Sequence, residues 1–259
     1  MSSFDLLHFD TNDRNCTFTG QYGNAYDVNF TLSNTYKRIR KINLSSLEMP
    51  IVFTNIRNEN TSNKIRLTVG SVDYNITLNN KNYTSIASLL ADLNAEFSKI
   101  GTTSTRPTVS LGDRISGNNC VRITIPSIST ITLYDSLLVN SVLGFPKFVN
   151  WSGSPTTSIL GSYPYNLNYD NFISLYVDIP STCTSSGNRL MSYKIPLNAL
   201  SGMVFYLGQN NTFEQSIVIT DQNFVLTGFR IQVFDRFGYP IIQAVDYTFT
   251  LALFYYCDC

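Results

Sequence analysis

The sequence predicts an all-β fold, a sandwich or jelly roll of two antiparallel sheets with one or two short inserted helices. Three observations carry that expectation. Apolar and polar residues alternate strictly over many short runs, the mark of strands with one face buried and the other solvated. Gly, Pro, Asn and Asp punctuate the runs, and about ten strands follow one another at that spacing. Helical periodicity is confined to two short segments.

Residues 1–24 are polar and aperiodic and read as an N-terminal arm that orders against a neighbour, with 25–259 as a single domain. The domain opens on Tyr26, Val28, Phe30 and Leu32 on one face and Asp27, Asn29 and Thr31 on the other. Between Lys37 and Met49 the apolar positions change parity, Ile39 on one phase and Ile42 and Leu44 on the other. That is the pattern of a long strand with a bulge or bend. Ile65, Leu67 and Val69 pair in pattern with Val72, Tyr74, Ile76 and Leu78 across a Gly70-Ser71 turn. Further strands are expected at Val121–Ile125, Ile128–Leu133 and Ile173–Ile179, the last ended by Pro180, and then over 203–207, 216–220, 229–234 and 247–256.

Ile86, Leu89, Leu90, Leu93 and Phe97 recur at three- and four-residue steps after a capping Thr84 or Ser85, with Gly101 just beyond. They predict an amphipathic helix of about four turns, an insertion near 83–101. A shorter helix is expected over Asp135–Leu143, with Asp135 as N-cap, Leu138, Val142 and Leu143 inward, and Gly144 closing it. Residues 102–117 and 149–169, rich in Ser, Thr, Gly and Pro, read as long surface loops.

The 259 residues carry 18 Lys and Arg against 18 Asp and Glu, with charged residues at 14% and aromatics at 13%. An ordinary soluble domain is about 25% charged, so this surface is built from Asn, Ser and Thr and favours association. Neutral charge argues against specific nucleic-acid binding. No stretch reaches the roughly 20 apolar residues of a transmembrane span, and the first ten residues lack the basic and apolar regions of a signal peptide. The expectation is a protein made and kept in a cytosolic compartment. The five cysteines, Cys16, Cys120, Cys183, Cys257 and Cys259, are scattered and read as free thiols. Sequons such as Asn29-Phe-Thr31 and Asn75-Ile-Thr77 arise by chance in a chain so rich in Asn, Ser and Thr.

Catalytic constellations are missing from the sequence. His8 is the one imidazole, so Ser-His-Asp or Cys-His chemistry would have to rest on it. Gly153-Ser154-Pro155 and Gly161-Ser162-Tyr163 both fail the nucleophile-elbow pattern at the second glycine, and no metalloprotease, phosphate-loop or dinucleotide motif occurs. Cys257-Asp258-Cys259 offers two thiols, while a zinc site needs two further ligands. It reads either as a frayed, reduced tail or as the source of an intersubunit disulfide. Asp10-Thr11-Asn12-Asp13 runs into Arg14 and Asn15 where a calcium loop needs an acidic or amide residue and then Gly. Glu48, Asp178 and Asp235 are the carboxylates a glycosidase reading would use, and the sequence pairs none of them. The expectation is no enzyme, no metal and no cofactor.

Two groups remain as candidate contacts. Lys37, Arg38, Arg40 and Lys41 form the one basic cluster, with Arg38 and Arg40 on a common face if the segment is a strand. It suits an acidic partner, phosphate head groups or packaged nucleic acid, or equally a solvated edge strand whose cations discourage aggregation. Trp151, in an Asn-Trp-Ser-Gly loop, with Tyr163, Tyr165 and Tyr169, suits a carbohydrate or receptor surface, or simple packing.

Asn82-Tyr83-Thr84, the helix that follows, the strands of Val121–Leu133 and then Leu143-Gly144-Phe145 stand in an order that resembles single jelly-roll penton and minor capsid proteins of large double-stranded DNA viruses, virophages and related elements. Ile231-Gln-Val-Phe-Asp235-Arg-Phe-Gly238-Tyr-Pro, followed by Asp246-Tyr-Thr-Phe-Thr-Leu251, is similar to their closing hairpin. The resemblance covers roughly residues 25–256 and departs from the simplest jelly roll in the helical insertion at 83–101. It implies a penton that forms a homopentamer at the icosahedral five-fold vertices, surrounded by major capsid proteins with tandem jelly rolls and by other minor capsid proteins. The virion would then be its location, after synthesis and assembly in the host-cell cytoplasm. A minor capsid or spike-base role elsewhere on the shell is the alternative within this class, and a carbohydrate- or receptor-binding sandwich the alternative outside it.

Overall fold

Alternating runs become strands throughout the computed structural model, which describes residues 4–12, 16–18, 25–50, 54–102, 106–114, 118–124, 131–147, 151–153, 158–179, 189–197, 204–207, 216–242, 244 and 246–256. The N-terminal third holds β1 (Phe4–Asp10), β2 (Cys16–Phe18), β3 (Asp27–Lys37) and β4 (Ile39–Pro50). Next come β5 (Lys64–Val69), β6 (Val72–Thr77), helix α1 (Ile86–Phe97), β7 (Thr108–Arg114), β8 (Asn118–Thr124), β9 (Ile131–Leu133), β10 (Trp151–Gly153) and β11 (Ser158–Leu160). The remainder holds β12 (Phe172–Ile179), β13 (Arg189–Pro196), β14 (Val204–Leu207), β15 (Ser216–Val218), β16 (Val225–Asp235) and β17 (Thr248–Tyr255). The chain divides into two compact units, Met1–Phe53 with Asp170–Cys259, and Thr54–Tyr169. The second is thus inserted between β4 and β12 of the first, a longer insertion than the helix at 83–101 that the sequence marks.

The first unit is a jelly roll. One sheet runs β1-β17-β4-β14, with β15 also on β4, and the other runs β13-β12-β16-β3-β2, every pairing antiparallel. Set β2 aside and let β14 and β15 share one position, since both lie along β4. The successive strands then occupy the sheets as first-eighth-third-sixth and fifth-fourth-seventh-second, the order that two interlocked Greek keys produce. Residues 4–10 and 16–18, within the segment expected as an arm, pair with β17 and β3 of this unit.

One apolar core joins the two sheets. Val28, Phe30, Leu175, Val177, Ile231 and Val233 come from one sheet, and Ile42, Leu47, Phe249, Leu251 and Leu253 from the other. Four rings, Phe9 and Phe249 from one side and Phe30 and Phe229 from the other, interlock with centroids 4.9 to 6.1 Å apart. Such offset and edge-on pairs add about 0.5–1.5 kcal/mol each beyond the area they bury.

The parity change expected in β4 is a pair of bulges. Against β17 the register skips Arg40 and again Ser45, and the buried positions shift phase at the same places, from Ile39 to Ile42 and from Leu44 to Leu47. Each extra residue keeps the next apolar side chain on the core face, which a straight strand of this sequence would not do.

In the second unit, β10-β9-β5-β6 and β11-β8-β7 form two antiparallel sheets. Helix α1 has Ser85 as its N-cap, accepting the Ser88 amide, and buries Ile86, Leu89, Leu90, Leu93 and Phe97 as its spacing predicts. The shorter expected helix is a π-helical turn over Leu138–Val142. Ser136 rather than Asp135 receives the Val139 amide on its hydroxyl, and Asp135 is held instead by the Asn140 side chain. Gly144 closes the turn at φ +84°, with the Tyr163 carbonyl oxygen 2.2 Å from where a Cβ would stand.

The ends of this unit are tied to each other. Asn55 donates to the Tyr83 and Leu167 carbonyls and accepts the Tyr83 amide, while the Tyr169 hydroxyl donates to the Asn55 carbonyl and receives the Asn60 amide.

Candidate functional site

The basic cluster sits at a corner of the jelly roll. Lys37 ends β3 in one sheet, Ile39 begins β4 in the other, and Arg38 makes the crossing in the left-handed region at φ +60°. That backbone costs a residue with a Cβ about 1–2 kcal/mol, and the Tyr256 amide, 2.9 Å from the Arg38 carbonyl, helps to hold it. Arg38 therefore lies outside both strands and shares no strand face with Arg40, which is the bulge residue next along; its carbonyl accepts the Ile219 amide at 2.8 Å. Lys37, Arg38 and Arg40 are exposed and Lys41 is half-buried. The four cations gather because the chain turns there.

Beside the corner lies an apolar row that the sequence did not reveal. Phe4 of β1 is registered with Phe254 of β17, Phe254 with Lys41 of β4, and Lys41 with Val218 of β15. Phe4 stacks on Phe254 with centroids 5.8 Å apart, and the Lys41 ammonium lies over the Phe254 ring at 5.4 Å. Leu7 and Phe9 of β1 pack on the core, so its opposite parity points outward and leaves Phe4 54% and Leu6 49% exposed, while on β15 Ile217 packs on the core and Val218 stands 65% exposed. Neither part of the row was legible: β1 carries apolar residues on both faces and so shows no single period, and Phe254, the neighbour of Phe4, is 250 residues away in sequence.

The carboxylates of the glycosidase reading are not brought together. Glu48 is exposed on β4, in one sheet, and Asp178 lies on β12, in the other. Asp235 is buried as a turn anchor: its carboxylate accepts the Phe237 and Tyr239 amides at 2.8 and 2.9 Å, and Gly238 stands at φ +85°. Sequence reasoning missed the pair that matters most in this sheet, Asp27 and Arg230. The guanidinium donates to both carboxylate oxygens, at 2.7 and 2.6 Å, and Gln232 adds a third contact at 3.3 Å. The bond to Asp27 raises the Arg230 pKa further above its ordinary value.

His8 belongs to a cross-strand ladder on the outer face. Its Nδ1 lies 3.2 Å from the Thr250 hydroxyl, to which Ser46 donates at 2.8 Å. Hydroxyl rows of this kind are ordinary inter-strand stabilisers. Cys120 is a buried free thiol, and the side chains of the other four cysteines lie outside the described residues, as do those of Trp151 and the segment Asp13–Asn15. Among the described residues no three or more His, Cys, Asp and Glu side chains gather as metal ligands, and no helix is long and apolar enough to cross a membrane. Tyr163 stands 60% exposed, Tyr165 is half-buried with its amide on the Asn119 carbonyl, and Tyr169 is buried in the tie described above. Tyr169 is thus no surface aromatic, because its hydroxyl is needed inside. A scan of protein-family models finds no match to the chain, and no curated protein sequence matches it.

Proposed function

We propose that this chain is a structural capsid protein, the penton of an icosahedral virion, with five copies closing a ring at each five-fold vertex. The observation that carries the reading is the strand order of the first unit, an eight-position jelly roll with the insertion between its third and fourth strands. Its low charge, 14%, suits a subunit whose flanks are buried by copies of itself and by tandem jelly-roll neighbours. The alternative position within the shell is a minor capsid or spike-base site. Native mass measurement of the purified protein tests the ring: a pentamer is expected, and a concentration-independent monomer that is missing from purified particles would sink the proposal.

The exposed Tyr163 favours a second reading, a glycan- or receptor-binding sandwich. A glycan array tests it directly. Binding lost in Tyr163→Ala supports it, and a blank array removes it.

A further inference from the structure

We infer that the corner of the jelly roll at Arg38 is a docking surface for an anionic lipid membrane. Four cations lie within five residues of a chain whose charges balance overall, 18 Lys and Arg against 18 Asp and Glu. Among the described residues, Lys37, Arg40 and Lys41 make no ion pair with a carboxylate. Two acidic side chains at this end are engaged: Asp5 accepts the Tyr255 hydroxyl at 2.7 Å, and Asp221 accepts the Asn223 amide at 2.9 Å. Neutral donors leave both carboxylates charged, so four cations stand against two anions, and the described residues of the corner are net positive and fit an anionic partner.

The adjoining row decides which kind. Phe4, Phe254, Lys41 and Val218 lie side by side on four strands, three strand spacings or about 14 Å across. An aromatic and an aliphatic residue project beside a cluster of Lys and Arg, so apolar insertion and head-group attraction act at the same place. A nucleic-acid surface would pair its cations with aromatic platforms along a groove. Here Val218 and Leu6, which cannot stack on a base, are among the most exposed apolar side chains. The inference goes beyond the ring reading and does not require it. In a ring, equivalent corners fall on one side, and each copy adds its contact to the others.

Sedimentation of the full chain with lipid vesicles tests this. Binding is expected to vesicles of phosphatidylcholine containing phosphatidylserine, to weaken with salt, and to be lost on vesicles of phosphatidylcholine alone. Each cation removed should lower the partition about five-fold, so the combined variant Lys37→Gln, Arg38→Gly, Arg40→Gln should fall about a hundred-fold. Arg38→Gly also relieves the left-handed backbone, and its melting temperature, unchanged or raised, shows that the loss is not unfolding. Phe4→Ser with Val218→Ser should cost about another ten-fold while keeping the charge. Retention of a double-stranded DNA oligomer in place of vesicles, binding indifferent to the cations, or no binding to either overturns the inference. Oligomer mass is read separately: a pentamer that ignores vesicles overturns only the membrane surface, and a monomer that binds them overturns only the ring.

Discussion

Arg230 holds Asp27 with both arms of its guanidinium, but the carboxylate is buried and the guanidinium is 40% exposed, so the two partners respond differently to replacement. Arg230→Ala leaves a buried charge without its fork and is expected to cost about 2–3 kcal/mol, below the range for fully buried pairs because water reaches the arginine. Asp27→Asn leaves no buried charge and should cost less; urea denaturation of both variants checks the order. Asp92 supplies a pH dependence. The Tyr83 hydroxyl and then the Lys81 ammonium hold its carboxylate below the usual range. A carboxylate depressed on folding stabilises the protein above its unfolded pKa of about 4, and that contribution is lost as pH falls through the folded value. Asp92→Asn should therefore be less stable than the parent at neutral pH, with the gap closing in acid, as urea midpoints on either side of that range would report. For Tyr83 itself, burial and then the same bond raise the phenol above its ordinary value, so its contribution fades only in strong alkali.

The elements rest on a few terminal groups. Ser85 is the N-cap of α1, and Ser85→Ala should cost about 1 kcal/mol. Gly144→Ala is more severe: it meets both a left-handed backbone and the Tyr163 carbonyl, and about 3 kcal/mol or more is expected from a backbone clash that no rotamer relieves. Thermal melts would separate the two. Strands such as β5, β6 and β12 and the buried face of α1 were legible because one-sided burial writes its period into neighbouring residues. The π-helical turn was harder to read, since Leu138, Val142 and Leu143 satisfy an α-helical spacing over so short a run. The corner at Arg38 was hidden for another reason: Lys37 and Ile39 look like one strand, and nothing local says that they belong to different sheets.

At the scale of the molecule, Thr54–Tyr169 has its own sheets and its own tie between Asn55, Leu167 and Tyr169. Excised, it is expected to fold with dispersed amide resonances, and Tyr169→Phe should loosen its ends. The first unit, with a short Gly-Ser linker from Phe53 to Asp170, should keep its cooperative melt. Failure of both pieces would mean that the division is only geometric. The sequence did not mark this boundary because composition hardly changes across it, whereas the strand order became evident only from pairings far apart in the chain. Among the described residues, β1 is hydrogen-bonded only to β17, more than 230 residues further along the sequence. On the ribosome, β1 must therefore wait for β17, while β5–β11 complete their sheets earlier. During that wait Phe4, Leu6, Leu7 and Phe9 have no sheet to join. Chains cut short before Thr248 release that strand with nowhere to go, and such products are expected to be sticky and to be recovered with chaperones.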